Sequence, residues 1–335
     1  MRERWRELAD VVGRFGGMRV VVLGDMALDR FWYGAVQRLS REAPVPIVRL
    51  SETRYLPGCA ANTVWNVAAL GGHAVPVGVL GNDASGDQLF DLFHEAGIDV
   101  SGIVREPSWA TPTKTRILAG ALNGPKQQLA RVDVDEVNPV GEGLAARLHA
   151  ALKAAVEGAD ALVLSDYGYG LVQASGVEEV LGGVRVSALD SRFDLRPYRG
   201  LVTATPNEEE FVEASGGWVE GDEEGLDAAG ESLRSRLGLR ALLVTRGRRG
   251  MCLFEEGKDP LKLPIVGSDQ VVDVTGAGDT VMATYVLALS TGAGFAEAAA
   301  LANVAGGIVV QRHGTATTSA GELSRTLEAW GRGAL

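Results

Sequence analysis

Apolar and polar positions alternate in blocks along this chain. A β-branched run over 20–23 ends in Gly24-Asp25 and predicts a buried strand that delivers a carboxylate at its C-terminal end. Further blocks follow: strand 75–80, helix 85–96 stopped at Gly97, strand 161–164, helix 173–181, and strand 185–189. Strand 201–204, helices 208–214 and 225–237, and strand 241–245 continue the series, and two long helical tracts over 276–290 and 295–311 close it. The most apolar stretch, 298–310, carries Asn303 and two glycines, falls short of the ~20 residues that span a bilayer, and reads as a buried helix. Strands separated by helices imply an α/β fold with a doubly wound, mostly parallel sheet flanked by helices. Ligands bind such sheets at the carboxyl ends of the strands.

Two stretches break the alternation. The segment 31–56 contains Ala43-Pro44-Val45-Pro46-Ile47, which disfavours helix, and 114–134 reads as two strands around Asn123-Gly124, a hairpin turn signal. Together, over about 31–56 and 112–134, they predict a small β lid on a single domain that spans 1–335. Runs at 251–254 and 261–266, joined by Glu256-Gly257-Lys258-Asp259, predict a second antiparallel pair.

Composition narrows the function classes. With 46% hydrophobic and 22% charged residues among 335, the chain is not intrinsically disordered. A net charge of −11 argues against nucleic acid or a membrane surface as partner, so an anionic substrate must meet a local basic patch. Cys59 and Cys252 are the only cysteines and neither lies in a CxxC pair, which excludes a disulfide framework or zinc ribbon and fits a reducing, cytoplasmic setting. The first fifteen residues mix charged and apolar positions and lack the apolar run of a secretory signal.

The most informative string is Asp273-Val274-Thr275-Gly276-Ala277-Gly278-Asp279-Thr280, set between a short strand and a long apolar helix. Small residues allow close backbone approach, and a helix N-terminus offers unpaired N–H groups and a partial positive charge. The amides of Gly276, Ala277, Gly278 and Asp279 can therefore hold a transferring phosphoryl group. Asp279 can accept the proton of an attacking hydroxyl. The plainer alternative is a glycine-rich helix start with Asp279 as a first-turn charge.

This string resembles the signature of the ribokinase-like (PfkB) carbohydrate kinases, and other landmarks of that family follow in order. They are the strand ending in Gly24-Asp25, the run Pro57-Gly58-Cys59-Ala60-Ala61-Asn62 leading into a helix, Asn207-Glu208-Glu209-Glu210, and Thr245-Arg246-Gly247-Arg248-Arg249-Gly250. Within the family the chain is most similar to the D-glycero-D-manno-heptose 7-phosphate kinases. That likeness is carried by Gly24 to Gly34, Arg41-Glu42-Ala43-Pro44-Val45-Pro46, Thr113-Lys114-Thr115-Arg116, Gln127 to Asp133, and Leu164-Ser165-Asp166-Tyr167. It implies an ATP-dependent phosphotransferase acting on the anomeric hydroxyl of a sugar phosphate.

The resemblance also implies roles. Asp25, Asp29, Gly58, Asn62 and Asp166 would surround the sugar, while Lys114, Arg116 and Arg131, with Arg38 and Arg41 as further candidates, would meet its phosphate. Lys114 and Arg116 alternate on one strand and so share a face. Asn207 and Glu210 match the motif that orders Mg²⁺, Glu210 acting through water; they also read as a helix N-cap and capping box. Thr245, Gly247, Gly250 and Asn303 would line the nucleotide site, with Arg246 adding positive charge and Arg248 and Arg249 solvating the turn. ATP and Mg²⁺ are the implied cofactors, a monovalent cation is a further candidate, and a homodimer through the β lid is expected.

The chain departs from the heptose-kinase pattern in three places. Tyr169 and Arg192 stand where lysines are expected, and Cys59 adds a side chain where the sugar loop usually has glycine. The nucleotidyltransferase domain fused to some members is not expected here, since the chain ends soon after its last helix. The rival readings are a PfkB-type kinase of another sugar or nucleoside, and a catalytically retired ligand-binding member of the fold.

Overall fold

The computed structural model describes residues 2–331 apart from 121–123, 125, 137–138, 267–271 and 313. Among these, thirteen strands form two sheets: β1 Arg19–Gly24, β2 Met26–Leu39, β3 Pro46–Cys59, β4 His73–Gly81, β5 Ile103–Glu106, β6 Thr113–Gly120, β7 Gln127–Val134, β8 Ala161–Asp166, β9 Val186–Ser191, β10 Thr203–Ala204, β11 Ala241–Thr245, β12 Met251–Glu255 and β13 Leu261–Leu263. The main sheet runs β13-β12-β11-β10-β9-β8-β1-β4-β5. Its pairs from β11 through β5 are parallel; β11–β12 and β12–β13 are antiparallel.

The continuous apolar run of β1 follows from burial on both faces. Val20 and Val22 enter one core with helices Ala60–Ala69, Ala277–Ser290 and Phe295–Val309, while Val21 and Leu23 enter the other with helices Glu142–Val156, Glu208–Ser215 and Leu226–Leu237. β4 flanks β1 on one side and β8 on the other, so strand order reverses at β1. The crevice at such a point is where open α/β sheets bind ligands.

The second sheet has the order β3-β2-β6-β7. β2 begins one residue after β1 ends, and β3 runs directly into helix Ala60–Ala69. Asp25 and Cys59 are therefore the two points where the small sheet joins the main one. Both prolines of the Ala43 to Ile47 stretch sit at the tip of the β2–β3 hairpin, Pro46 opening β3. Asn123 of the expected hairpin turn lies outside the described residues, and the flanking strands pair antiparallel.

Three expectations need correction, the first being the strand expected over 261–266, which ends at Leu263. The helix expected over 173–181 is instead a single turn at Leu171–Ala174 followed by 3₁₀ turns at Val177–Glu179 and Leu181–Gly183, because Gly176 adopts φ 66° and ends the helical path. The strand expected over 201–204 narrows to Thr203–Ala204.

Candidate active site

Two helices start at the same place. Helix Ala277–Ser290 brings Asp279 in its first turn, and helix Ala60–Ala69 brings Asn62 and Thr63 in its own. Asn62 Nδ2 donates to Asp279 Oδ2 over 2.7 Å, and Thr63 Oγ1 donates to Oδ1 over 2.7 Å. The Tyr167 hydroxyl approaches Oδ1 at 3.4 Å. Gly276 before the helix has φ 76°, and a Cβ there would lie 2.7 Å from Asn62 Nδ2, so glycine is required twice over. Asn62 is itself fixed: Asn66 Nδ2 donates to its carbonyl oxygen over 2.9 Å, and Thr280 Oγ1 holds Asn66 Oδ1 at 2.7 Å.

Burial pushes the Asp279 carboxyl up to about 6, against the lowering effect of the donors Thr63, Asn62 and Tyr167. A carboxylate has about four acceptor positions, and these donors take three. Asp279 is thus a weakly basic, mostly ionised group at neutral pH with acceptor capacity left for a substrate hydroxyl. In the turn expected to bind the phosphoryl group, one of the four amides is already bonded. Ala277 N–H bonds to the Val274 carbonyl at 3.2 Å, while helix geometry leaves the N–H groups of Gly278 and Asp279 without an intrahelical acceptor.

The small sheet supplies the neighbouring groups. Asp25 is fully buried; its Oδ2 accepts from the backbone N–H groups of Tyr167 (2.7 Å) and Tyr169 (3.2 Å), and its Oδ1 makes no hydrogen bond among the described residues. Burial, only partly offset by those two amides, raises its carboxyl to about 7. Asp29 lies 2.8 Å from the Arg116 guanidinium. Gly58 packs on the same carboxylate, where a Cβ would come within 3.0 Å of its carbon. Lys114 Nζ reaches the Cys59 thiol at 3.0 Å and lies 5.5 Å from the centre of the Tyr167 ring.

Asp166 and Arg131 are engaged elsewhere. Asp166 accepts from the Tyr198 hydroxyl (2.5 Å), Gln173 Nε2 (3.0 Å), Ser191 Oγ (3.3 Å) and Gly168 N–H (2.9 Å), which directs it to holding the 167–171 loop. Arg131 is half exposed and forks onto Asp133 at 2.8 and 3.0 Å.

On the other side of Gly278 opens a cleft of about 860 Å³, within the range of small-molecule sites. Its lining includes Asn207, Thr245, Gly247, Gly250, Ala277, Gly278 and Asn303. Asn207 and Glu210 form a complete capping box, each bond 2.9 Å, so the helix-cap reading holds while Asn207 also faces the cleft. Asn303 likewise does both: its Nδ2 donates to the Pro264 carbonyl at 2.7 Å.

The arginines of the 245–250 turn divide into two that pair with carboxylates and Arg248. Arg246 is buried between Glu208 and Glu223, and Arg249 pairs with Glu208 and Glu220, so both are neutralised by carboxylates. Arg248 is exposed, as read from sequence, and also lines the cleft. Sequence reasoning also missed Thr63. Its only signal is its place beside Asn62 at a helix start.

A buried carboxylate in the helix turn that borders a large cleft, beside free helix amides, can take a proton from an alcohol while the amides hold phosphoryl oxygens. The model of the pfkB family carbohydrate kinases matches residues 18–130 and 195–320. The chain belongs to that family, and is a phosphotransferase with an alcohol group as acceptor. Bifunctional protein HldE of Chromohalobacter salexigens is 42% identical over 92% of this chain, and that of Azotobacter vinelandii 43% identical over 94%. The chain spans 63% and 65% of those relatives' lengths. Among solved structures, ribokinase of Arabidopsis thaliana complexed with ribose and ATP superposes with a TM-score of 0.72 at 21% identity, covering 93% of this chain and 99% of that one. Phosphofructokinase-2 of Escherichia coli gives 0.71 at 17%, covering 94% and 99%. These likenesses establish the ribokinase-like fold. Among the described residues, no helix is long and apolar enough to cross a membrane.

Proposed function

We propose that this chain transfers the γ-phosphoryl group of ATP to the anomeric hydroxyl of D-glycero-D-manno-heptose 7-phosphate. The observation that carries the reading is the position of Asp279 in the first turn of the helix whose Ala277 and Gly278 line the large cleft, held by Asn62 and Thr63 and approached by Tyr167, on whose ring Lys114 lies. The acceptor's hydroxyls meet Asp25 and Asn62, and its anionic and polar oxygens meet the cations of β6, Lys114 and Arg116, whose segment resembles the heptose 7-phosphate kinases. ATP occupies the cleft with its phosphates toward Gly278. Asp279 takes the hydroxyl proton as the oxygen attacks phosphorus, and the Gly278 and Asp279 amides hold the equatorial oxygens.

The residues fit a hydrated magnesium ion. Glu210 uses Oε2 for its capping bond, leaving Oε1 to accept from a metal-bound water, and its carboxyl is raised by burial. Glu210, with Asn207 beside it, would hold the waters of a magnesium ion, which would supply positive charge to offset that of the phosphates. The small sheet acts as a lid over a single kinase domain, and its closure excludes water that would otherwise hydrolyse ATP. A cytoplasmic setting fits the two free, buried thiols.

The outer surface of the lid supports a homodimer. Leu39, Val45, Leu50, Val132 and Val134 are each at least half exposed. Light scattering is predicted to give a dimer that Leu50→Glu with Val132→Glu converts to monomer; a monomeric parent protein would contradict it.

The substrate assignment is tested by offering purified protein ATP and a panel of sugars, sugar phosphates and nucleosides. Heptose 7-phosphate is predicted to exceed unphosphorylated heptose in kcat/KM by about a hundredfold, as expected for loss of charge-assisted phosphate contacts. Equal use of the unphosphorylated sugar, or preference for a nucleoside, would overturn it.

A further inference from the structure

Among the described residues Cys59 is the one residue other than glycine with positive φ (φ 53°, ψ −136°). An L-residue is strained there, and such strain persists only where the surroundings hold it. Cys59 ends β3 and precedes helix Ala60–Ala69, yet its side chain makes no capping bond to that helix. The thiol is buried, at 6% exposure, and burial pushes it up to about 12, so it stays protonated and its sulfur lone pairs can accept. Lys114 Nζ donates to it over 3.0 Å.

Lys114 has no ion-pair partner among the described residues. The residue opposite it on β7, Asp133, is occupied by the Arg131 fork. The ammonium instead lies between the Cys59 sulfur and the face of Tyr167, whose hydroxyl is 3.4 Å from Asp279. An unpaired cation is thereby held against the ring whose hydroxyl approaches Asp279, away from the exposed strand β7.

We infer that Cys59 is a positioning residue, strained so that its thiol fixes the Lys114 ammonium beside the oxygen atoms of the acceptor nearest the reacting hydroxyl. The inference rests on the kinase reading above and adds a residue that determines acceptor specificity. Arg116, beside Asp29 on the same sheet, then remains for the distal phosphate.

The test compares Cys59→Gly, Cys59→Ser and Lys114→Met, alone and combined, in the full chain. For Cys59→Gly, kcat/KM for the acceptor is expected to fall about tenfold, the scale of one hydrogen bond to a charged group, with KM for ATP unchanged. Its unfolding temperature is expected to rise, because glycine relieves the strained φ. Cys59→Ser should restore most of the loss, since its hydroxyl also accepts from Lys114. In the Lys114→Met background Cys59→Gly should add nothing further. Full activity of Cys59→Gly, or a loss that accompanies a lower unfolding temperature and affects ATP equally, would overturn the inference.

A second readout needs no turnover. Labelling of Lys114 by an amine-reactive reagent, followed by mass spectrometry, is expected to quicken in Cys59→Gly; an unchanged rate would overturn the positioning role. If the parent protein phosphorylates no sugar phosphate, the sugar-phosphate assignment falls, and the labelling comparison still decides whether Cys59 holds Lys114.

Discussion

The side chain of Asn62 reaches across 217 positions of sequence to hold Asp279, its Nδ2 2.7 Å from Oδ2. This bond, with its neighbour from Thr63, joins the first turns of two helices whose N-terminal dipoles both favour negative charge at the carboxylate. Burial still dominates and raises the carboxyl to about 6. Asp279 therefore combines ionisation at neutral pH with usable basicity.

Removing one donor should move that balance. Thr63→Val deletes the 2.7 Å bond to Oδ1 at nearly constant volume. In the parent protein the acid limb of kcat/KM is predicted near 6, where Asp279 titrates. In the variant it should shift upward by about one pH unit, the scale of one hydrogen bond to an ionised group, while the alkaline plateau drops only a few-fold. A pH–rate profile measures both.

Asp25 should make the protein less stable as pH rises. Its carboxyl titrates at about 7 in the fold against an ordinary value of 3.8. Between those values the folded chain keeps a proton that the unfolded chain has released, so stability falls through this window and stays lower above it. Asp25→Asn removes the titration, and its melting temperature relative to the parent should be higher at about pH 8 than at about pH 4. KM for the acceptor should rise in the same variant. Paired thermal melts at the two pH values check the sign.

Arg246 should matter to the nucleotide through shape. Its side chain is 4% exposed and joins Glu208 of the cleft wall to Glu223. Arg246→Ala leaves the largely buried Glu208 without one partner and is predicted to cost about 3 kcal/mol, with KM for ATP raised more than KM for the acceptor. Denaturant unfolding and steady-state kinetics separate the two effects. Arg246→Lys should recover only part, because lysine lacks the fork that spans two carboxylates.

Much of this architecture is readable from residues alone. β1 is apolar from Val20 to Leu23 because both its faces are covered there, and Asp25 follows the strand directly; the glycine-rich string before Asp279 marks its own helix start. Other parts depend on contacts distant in sequence. Helix Arg2–Gly13 reads as mixed charge and apolar because only one stripe of it, including Leu8, Val11 and Val12, is buried. The neutralisation of Arg246 by Glu223 and the engagement of Asp166 by Tyr198 link residues 23 and 32 apart, and no local pattern announces either. Gly176 could have signalled the break in the helix expected over 173–181.

The central claim is that Asp279 accepts the proton of the attacking hydroxyl. Asp279→Asn keeps the size of the side chain and can still accept from Thr63, yet it cannot take a proton. The most direct measurement is the rate of phosphoryl transfer from ATP to the preferred sugar phosphate by this variant, with nucleotide binding measured in parallel. A fall of about a thousandfold with ATP affinity retained is predicted, the scale of a lost general base. Unchanged turnover by a folded, nucleotide-binding variant would contradict the account.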